Sequence, residues 1–100
     1  MQDILKVSDI TFEDVADYIR LDSPDADETN TINTLIRVAK EYIKSYTGLA
    51  DKDLDAYSDL VIVVLILCQD MWDNRAMYVD KSNVNRTVES ILNLHAVNLL

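Results

Sequence analysis

The chain has 100 residues, of which 49% are hydrophobic, and its formal net charge is −9. This length predicts a single domain, residues 1–100, and the apolar content predicts a folded chain instead of a disordered one. The acidic excess argues against a nucleic-acid-binding surface, which would carry basic clusters. One glycine and one proline are too few for the turns of a β-rich fold, so the composition favours an all-α domain.

The start of the chain, Met1-Gln2-Asp3, has neither the basic region nor the apolar region of a signal peptide, so we expect synthesis and folding in a cytoplasm. The single cysteine, Cys68, lies in the most apolar stretch of the sequence. It excludes an intramolecular disulfide, and its surroundings favour a small buried hydrophobic residue.

A first helix is predicted from Thr11 to near Leu21. Asp14 follows Thr11 by three residues, which is a weak capping-box arrangement. The apolar residues have the spacing of one buried helix face; they are Phe12, Val15, Ala16 and Ile19.

The segment 22–28 is predicted to be a solvated loop that leads into the second helix, since it contains Pro24 and four acidic residues. A calcium loop of the EF-hand type needs a central glycine and ligands at alternating positions. Because neither is present, the sequence does not predict a calcium site here.

A second helix is predicted over about 29–46. Its apolar stripe is formed by Ile32, Leu35, Ile36, Ala39 and Ile43. A basic face lies beside this stripe, formed by Arg37, Lys40 and Lys44, with Glu41 placed to pair with Arg37 one turn away. Gly48 follows directly and is expected to end the helix with a positive φ.

An acidic linker over 49–58, with Asp51, Asp53 and Asp55, leads into a central helix over about 59–79. Nine consecutive apolar residues, 60–68, suit a buried strand as well as a buried helix, but the apolar stripe continues through Trp72, too far for an ordinary strand. Its predicted members are Val61, Val64, Leu65, Cys68, Trp72, Ala76 and Val79. The run becomes polar at Gln69, so we expect no membrane span.

A polar break over 80–85 separates the central helix from a last helix, which Asn85 or Thr87 caps. This helix carries Val88, Ile91, Leu92 and Leu99 on its apolar side. The sequence therefore predicts an all-α, small single-domain bundle of about four helices, with the third, about 59–79, central and buried.

Residues that could support catalysis are few. His95 is the only histidine and has no cysteine cluster or second histidine beside it, so we interpret it as a partly buried or interface residue instead of a zinc ligand. The acidic pairs Asp70/Asp73 and Asp51/Asp53 would need one carboxyl group in an apolar pocket to act as an acid. A glycine-rich phosphate loop is missing. We expect no enzyme activity, no metal and no cofactor.

The order of several sequence pieces carries a resemblance to a known family. The first piece is 15–22, which an acidic gap separates from the second piece, 39–48, ending in Tyr46-Thr47-Gly48. The third piece is an apolar helix that ends in Trp72-Asp73-Asn74-Arg75-Ala76, and the last piece is 88–92. This pattern resembles the small head–tail connector, or head-completion, proteins of tailed bacteriophages and prophages. It covers nearly the whole chain from Val7; the linker over 49–58 departs from the family's pattern because it has no proline.

The resemblance implies a structural role and no catalysis. Such proteins are wedge-shaped helical subunits that form a ring, dodecameric in many members, at the head–tail junction of the virion. The ring docks under the portal protein, extends the DNA channel without binding DNA specifically, and presents a face to a tail or stopper protein. No contact with a membrane is implied.

A head-to-tail ring requires two different, complementary faces on each subunit. We therefore expect Arg37, Lys40 and Lys44 of one copy to meet the acidic linker residues Asp51, Asp53 and Asp55 of its neighbour. The alternative is a solvated helix face with pairs inside one helix.

Trp72 and Arg75 are interpreted as packing residues, Trp72 in the core and Arg75 at a carboxylate or the helix end, or as direct contacts with the portal or a neighbour. Two other functions are also compatible with the sequence, a generic helical adaptor that binds one partner helix and, less favoured by the acidic charge, a small DNA-binding regulator.

Overall fold

The structure, a computed structural model, describes residues 6–96, and within them every regular element is helical. A 3₁₀ turn, Val7–Asp9, precedes five α-helices. These are α1 (Phe12–Tyr18), α2 (Ala26–Thr47), α3 (Asp51–Leu54), α4 (Asp59–Asp73) and α5 (Arg86–His95). The all-α prediction is confirmed. The extra helix is the one-turn α3, which forms inside the predicted linker. Leu99 and Met1-Gln2-Asp3 lie outside the described residues.

Helix α4 is the centre of the bundle and packs against α1, α2 and α5. Eight of its 15 residues are buried, which is more than one helix face holds, so the bundle covers α4 on several sides. They are Leu60, Val61, Val63, Val64, Leu65, Leu67, Cys68 and Met71. Ile62, 43% exposed, marks the side that remains open to solvent. The prediction of a buried helix over a buried strand is confirmed.

The predicted end of the central helix near 79 is wrong, because a Schellman motif ends α4 at Asp73. The Arg75 N–H donates to the carbonyl of Trp72 at 3.3 Å, and the Ala76 N–H donates to the carbonyl of Met71 at 2.9 Å. Arg75 has φ 55°, in the left-handed region. The apolar stripe predicted beyond Trp72 therefore belongs to a non-helical segment.

Helix α1 ends by the same device. Arg20 has φ 60°, and the Leu21 N–H donates to the carbonyl of Ala16 at 2.8 Å. The helix thus stops at Tyr18 and not near Leu21. Its predicted start is confirmed, since Thr11 forms a complete capping box with Asp14.

Helix α2 begins earlier than predicted because part of the expected loop caps it. The Glu28 N–H donates to the Asp25 carboxylate at 2.8 Å, and the Asp25 N–H donates to the Glu28 carboxylate at 3.1 Å. This reciprocal pair satisfies two N–H groups that a helix start leaves free. The helix therefore begins at Ala26, and the solvated loop after α1 is shorter than 22–28.

The start of α2 and the end of α4 lie together, so these two packed helices run antiparallel. Each end of the bundle therefore combines the end of one long helix with the start of the other. The end with Gly48 and Asp59 is called the Gly48 end below, and the opposite end is called the Trp72 end. Helix α5 is capped by Asn85, one of the two predicted caps, and buries Val88 and Leu92 against the bundle.

Candidate functional site

The basic face of α2 meets the acidic linker within one chain. Lys44 Nζ lies 3.0 Å from the Asp51 carboxylate and 3.1 Å from that of Glu41. The hydrogen bond to Asp51 and then that to Glu41 raise the pKa of the Lys44 ammonium group. The structure thus shows Lys44 and Asp51 paired within one chain. The predicted contact between copies stays a prediction. The expected pair of Glu41 with Arg37 does not form, because Glu41 binds Lys44 instead.

Asp55, at the end of α3, also has a partner in its own chain. Its carboxylate accepts hydrogen bonds from the Ser8 N–H at 2.9 Å and the Ser8 hydroxyl at 2.7 Å. These two bonds lower the pKa of the Asp55 carboxyl group, and Lys6 and Lys40 lower it further. Ser8 thereby fastens the 3₁₀ turn to the linker.

The remaining residues of the two predicted interface sets are more open. Arg37 is exposed, and within residues 6–96 it takes part in no ion pair. Lys40 is half-buried beside Asp55, and Asp53 is half-buried with no side-chain hydrogen bond in the described part of the chain. Arg37 is therefore the basic residue of this face with the most freedom to contact another molecule.

The motif Tyr46-Thr47-Gly48 ends α2 and anchors two neighbours. Gly48 has φ 77°, and its N–H donates to the carbonyl of Lys44 at 2.8 Å. The fully buried Thr47 hydroxyl donates to the carbonyl of Ile43 at 2.7 Å and accepts a hydrogen bond from the Leu49 N–H at 3.2 Å. The Tyr46 hydroxyl donates to the Asn93 side chain of α5 at 2.7 Å. The motif thus fixes both the length of α2 and the position of α5.

The motif Trp72-Asp73-Asn74-Arg75 ends α4 in a comparable way. The Asn74 side-chain amide donates to the carbonyl of Asp70 at 2.8 Å. Asn74, and not the guanidinium of Arg75, is therefore the side chain that caps the last turn. Arg75 contributes through its left-handed backbone, and its side chain is exposed. Trp72 is half-buried at the edge of the core and not inside it.

A third cluster was not predicted from the sequence. His95, the last residue of α5, lies with Nε2 at 2.8 Å from both carboxylate oxygens of Asp59, the first residue of α4. The Tyr57 ring packs against the imidazole, with the ring centres 4.2 Å apart and the ring planes tilted by 33°. His95 is half-buried, as expected. Its partner could not be predicted from the sequence, because Asp59 lies far away along the chain.

Two side chains that could in principle support catalysis, Cys68 and Asp70, have shifted pKa values. Cys68 is buried, and desolvation raises the pKa of its thiol to about 12. Burial and the nearby charge of Asp73 raise the pKa of the Asp70 carboxyl group, which lines a cleft of about 290 Å³. This raised pKa lets Asp70 keep its proton to a higher pH than an exposed aspartate does. Within residues 6–96, no three histidine, cysteine, aspartate or glutamate side chains lie close enough together to hold a metal ion.

None of the helices in the described range 6–96 has the length and apolar character that crossing a membrane requires. Comparisons with protein-family models, with curated proteins and with solved structures find no match to this chain.

Proposed function

We propose that this chain is a structural subunit of the head–tail connector ring of a tailed phage or prophage. Copies stand side by side under the portal, extend the DNA channel and offer a docking face to a tail or stopper protein. The proposal is carried by one observation, the order in which Tyr46-Thr47-Gly48 and Trp72-Asp73-Asn74-Arg75 end the two longest helices, α2 and α4.

The positions of the two motifs support this proposal. Each contains a residue of positive φ, Gly48 or Arg75, that ends a core helix, and the two lie at opposite ends of the bundle. With a rise of 1.5 Å per residue, the 15 residues of α4 span about 22 Å between them. The motifs thus fix where the two longest helices stop, which gives the end faces of the subunit a defined position for contact with the portal or the tail.

The charge distribution supports a channel role. Eight acidic residues and one basic residue, Arg20, lie between positions 9 and 28. The acidic ones are Asp9, Glu13, Asp14, Asp17, Asp22, Asp25, Asp27 and Glu28. Turned toward a bore, this segment would repel the phosphates of DNA and let the genome pass without specific binding. A bore lined by lysine and arginine would contradict this part of the proposal.

The neighbour contact in the ring takes its strongest support from Arg37. It is exposed and free of ion pairs within the described residues, whereas Lys44, Asp51 and Asp55 already have partners in their own chain. We therefore propose that Arg37, helped by Lys40, makes the basic half of the interface and that Asp53 of the neighbouring copy contributes to the acidic half.

Co-assembly with the portal tests the function. The protein is made in the bacterial host together with the portal protein of the same genome, and the complex is imaged by electron microscopy. A ring of copies in the symmetry of the portal, dodecameric for a twelve-fold portal, is expected at the virion's head–tail junction. The matched control is a capsid that lacks the portal, which should bind none of it. Failure to associate with portal-bearing capsids contradicts the proposal.

A helical adaptor that binds one partner segment is the second candidate. A groove at the Trp72 end, described below, favours it. Such an adaptor remains a monomer or dimer with the portal present, so the imaging experiment separates the two functions. A subunit that is monomeric alone is compatible with both, because a portal can template the ring.

A further inference from the structure

A groove of about 310 Å³ opens at the Trp72 end, between the first turns of α2 and the end of α4. Leu35, Met71 and Trp72 give it an apolar interior. Met77 stands beside them with 47% of its surface exposed. The volume is at the lower limit of small-molecule pockets, about 300–1,000 Å³, and the groove is partly open to solvent. Its shape therefore suits a side chain presented by another protein.

Opposite charges flank the apolar interior. Asp27 lies on the α2 side and Arg75 lies on the side of α4. Both are exposed, and neither belongs to an ion pair within 4.0 Å in the part of the chain that the structure describes. Glu28, next to Asp27, accepts a hydrogen bond in the capping box of α2. An occupant that leaves these charges solvated gains nothing from them, whereas one with complementary charges gains two contacts.

Both charges are held by well-defined backbone. Asp27 belongs to the first turn of a capped helix, and Arg75 occupies the left-handed position of a Schellman motif. Groups fixed before binding lose less conformational entropy on binding. The acidic α2 side disfavours nucleic acid, and a charged rim on both sides disfavours a lipid surface.

We infer that this groove binds a short segment of a partner protein that presents an apolar side chain between a basic and an acidic residue. The apolar side chain enters against Trp72, the basic residue faces Asp27 and the acidic residue faces Arg75. The inference deepens the proposed function, on which it rests for the choice of a protein partner, by naming the chemistry of the segment that the partner contributes.

Three capped pentapeptides test the recognition, namely Lys-Ala-Leu-Ala-Glu, Lys-Ala-Leu-Ala-Lys and Glu-Ala-Leu-Ala-Glu. Trp72 is the only tryptophan, so its indole N–H resonance reports directly on the groove. The peptide of mixed charge is expected to bind about threefold more tightly than either other, the size typical of exposed charge pairs. A fourth peptide, Lys-Ala-Ala-Ala-Glu, lacks the apolar side chain and should not shift the resonance.

Charge reversals should change the ranking in a defined way. With Asp27→Lys both sides are basic, and the peptide with two glutamates becomes the tightest. With Arg75→Glu both sides are acidic, and the peptide with two lysines becomes the tightest. The control reversals Glu89→Lys and Arg86→Glu lie on α5, outside the groove, and should leave the wild-type ranking unchanged.

An identical ranking in all variants overturns the inference, as does an indole resonance that does not move at millimolar peptide. These outcomes can be distinguished from a failure of the proposed function. Portal co-assembly together with an empty groove refutes the inference alone, and a groove that binds in a protein indifferent to portals refutes the connector alone.

Discussion

His95 and Asp59 are joined by a forked contact of 2.8 Å to each carboxylate oxygen although 36 residues separate them in the chain. The contact ties the last residue of α5 to the first residue of α4, and Tyr57 covers it from one side. Helix α5 buries only two residues fully, Val88 and Leu92, so polar contacts have a large share in holding it.

The coupling between these two side chains is expected to be about 0.5–1.5 kcal/mol. A hydrogen bond to a charged group contributes more than this when buried, but the Asp59 side chain is 44% exposed, which calls for a discount. Asp59→Ala also removes a negative charge from a helix start, so a double-mutant cycle with His95→Ala is needed to isolate the contact. Urea unfolding followed by Trp72 fluorescence measures it. Additive losses would show that the contact does not stabilise the fold.

The features that the sequence predicted well are those in which neighbouring residues decide the outcome. Thr11 with Asp14, Gly48 after α2 and Asn85 before α5 are local signals, and each behaves as expected. Asp25 was missed as a helix cap because a nearby proline and several carboxylates resemble a solvated loop.

The site residues were harder to predict because their partners are distant. Opposite charges at Lys44 and Asp51 indicate attraction, yet attraction within a chain and between chains has the same sequence signature. Asp59 and His95 show no pattern at all, since packing of α5 alone brings them together. The left-handed backbone of Arg75 was also unpredictable, because arginine has no preference for that region.

Replacing arginine by glycine at the two Schellman positions should stabilise the protein. Arg20 has φ 60° and Arg75 has φ 55°, a region that costs a residue with a Cβ atom about 1–2 kcal/mol. Glycine avoids this cost but loses about 0.5–1 kcal/mol of chain entropy, so a net gain of up to about 1 kcal/mol is expected for each. Gly48→Ala is the matched opposite change and should destabilise by about 1 kcal/mol. Thermal unfolding would contradict the assignment if Arg20→Gly lowered the midpoint.

The contact between Ser8 and Asp55 should stabilise the protein at neutral pH and lose its effect in acid. Because hydrogen bonds from Ser8 lower the folded-state pKa of Asp55 below its ordinary value of 3.8, the contact is fully present above that value. Its contribution disappears as the pH falls through the lower, folded-state pKa. The free energy of unfolding of wild type minus that of Asp55→Asn should therefore be positive and constant near neutrality and decline below a pH of about 4. If the difference in unfolding free energy stays constant down to strongly acidic pH, the contact does not stabilise the protein in this way.

Ionisation of Asp70 should destabilise the folded protein, which is opposite in sign to the effect of Asp55. Burial and the charge of Asp73 raise its folded-state pKa above 3.8, so the ionised form is penalised in the folded protein. The penalty is absent below the unfolded-state pKa and complete above the folded-state pKa. Asp70→Asn is therefore expected to be more stable than wild type at pH 7, with an advantage that vanishes in acid. Urea unfolding across this range measures it, and Asp73→Asn, which removes the second cause alone, should give a smaller gain.

Charge reversal on the basic face of α2 should separate assembly from folding. Arg37→Glu removes no ion pair within residues 6–96, so its unfolding midpoint should match that of wild type while ring formation on the portal weakens. Lys44→Glu breaks the contacts with Asp51 and Glu41 and places a third carboxylate beside them, so it should lower the midpoint as well. Unfolding curves and the number of copies bound per portal give the two readouts. If Arg37→Glu assembles as well as wild type, this face is solvated in the ring, and the neighbour contact must lie elsewhere on the subunit.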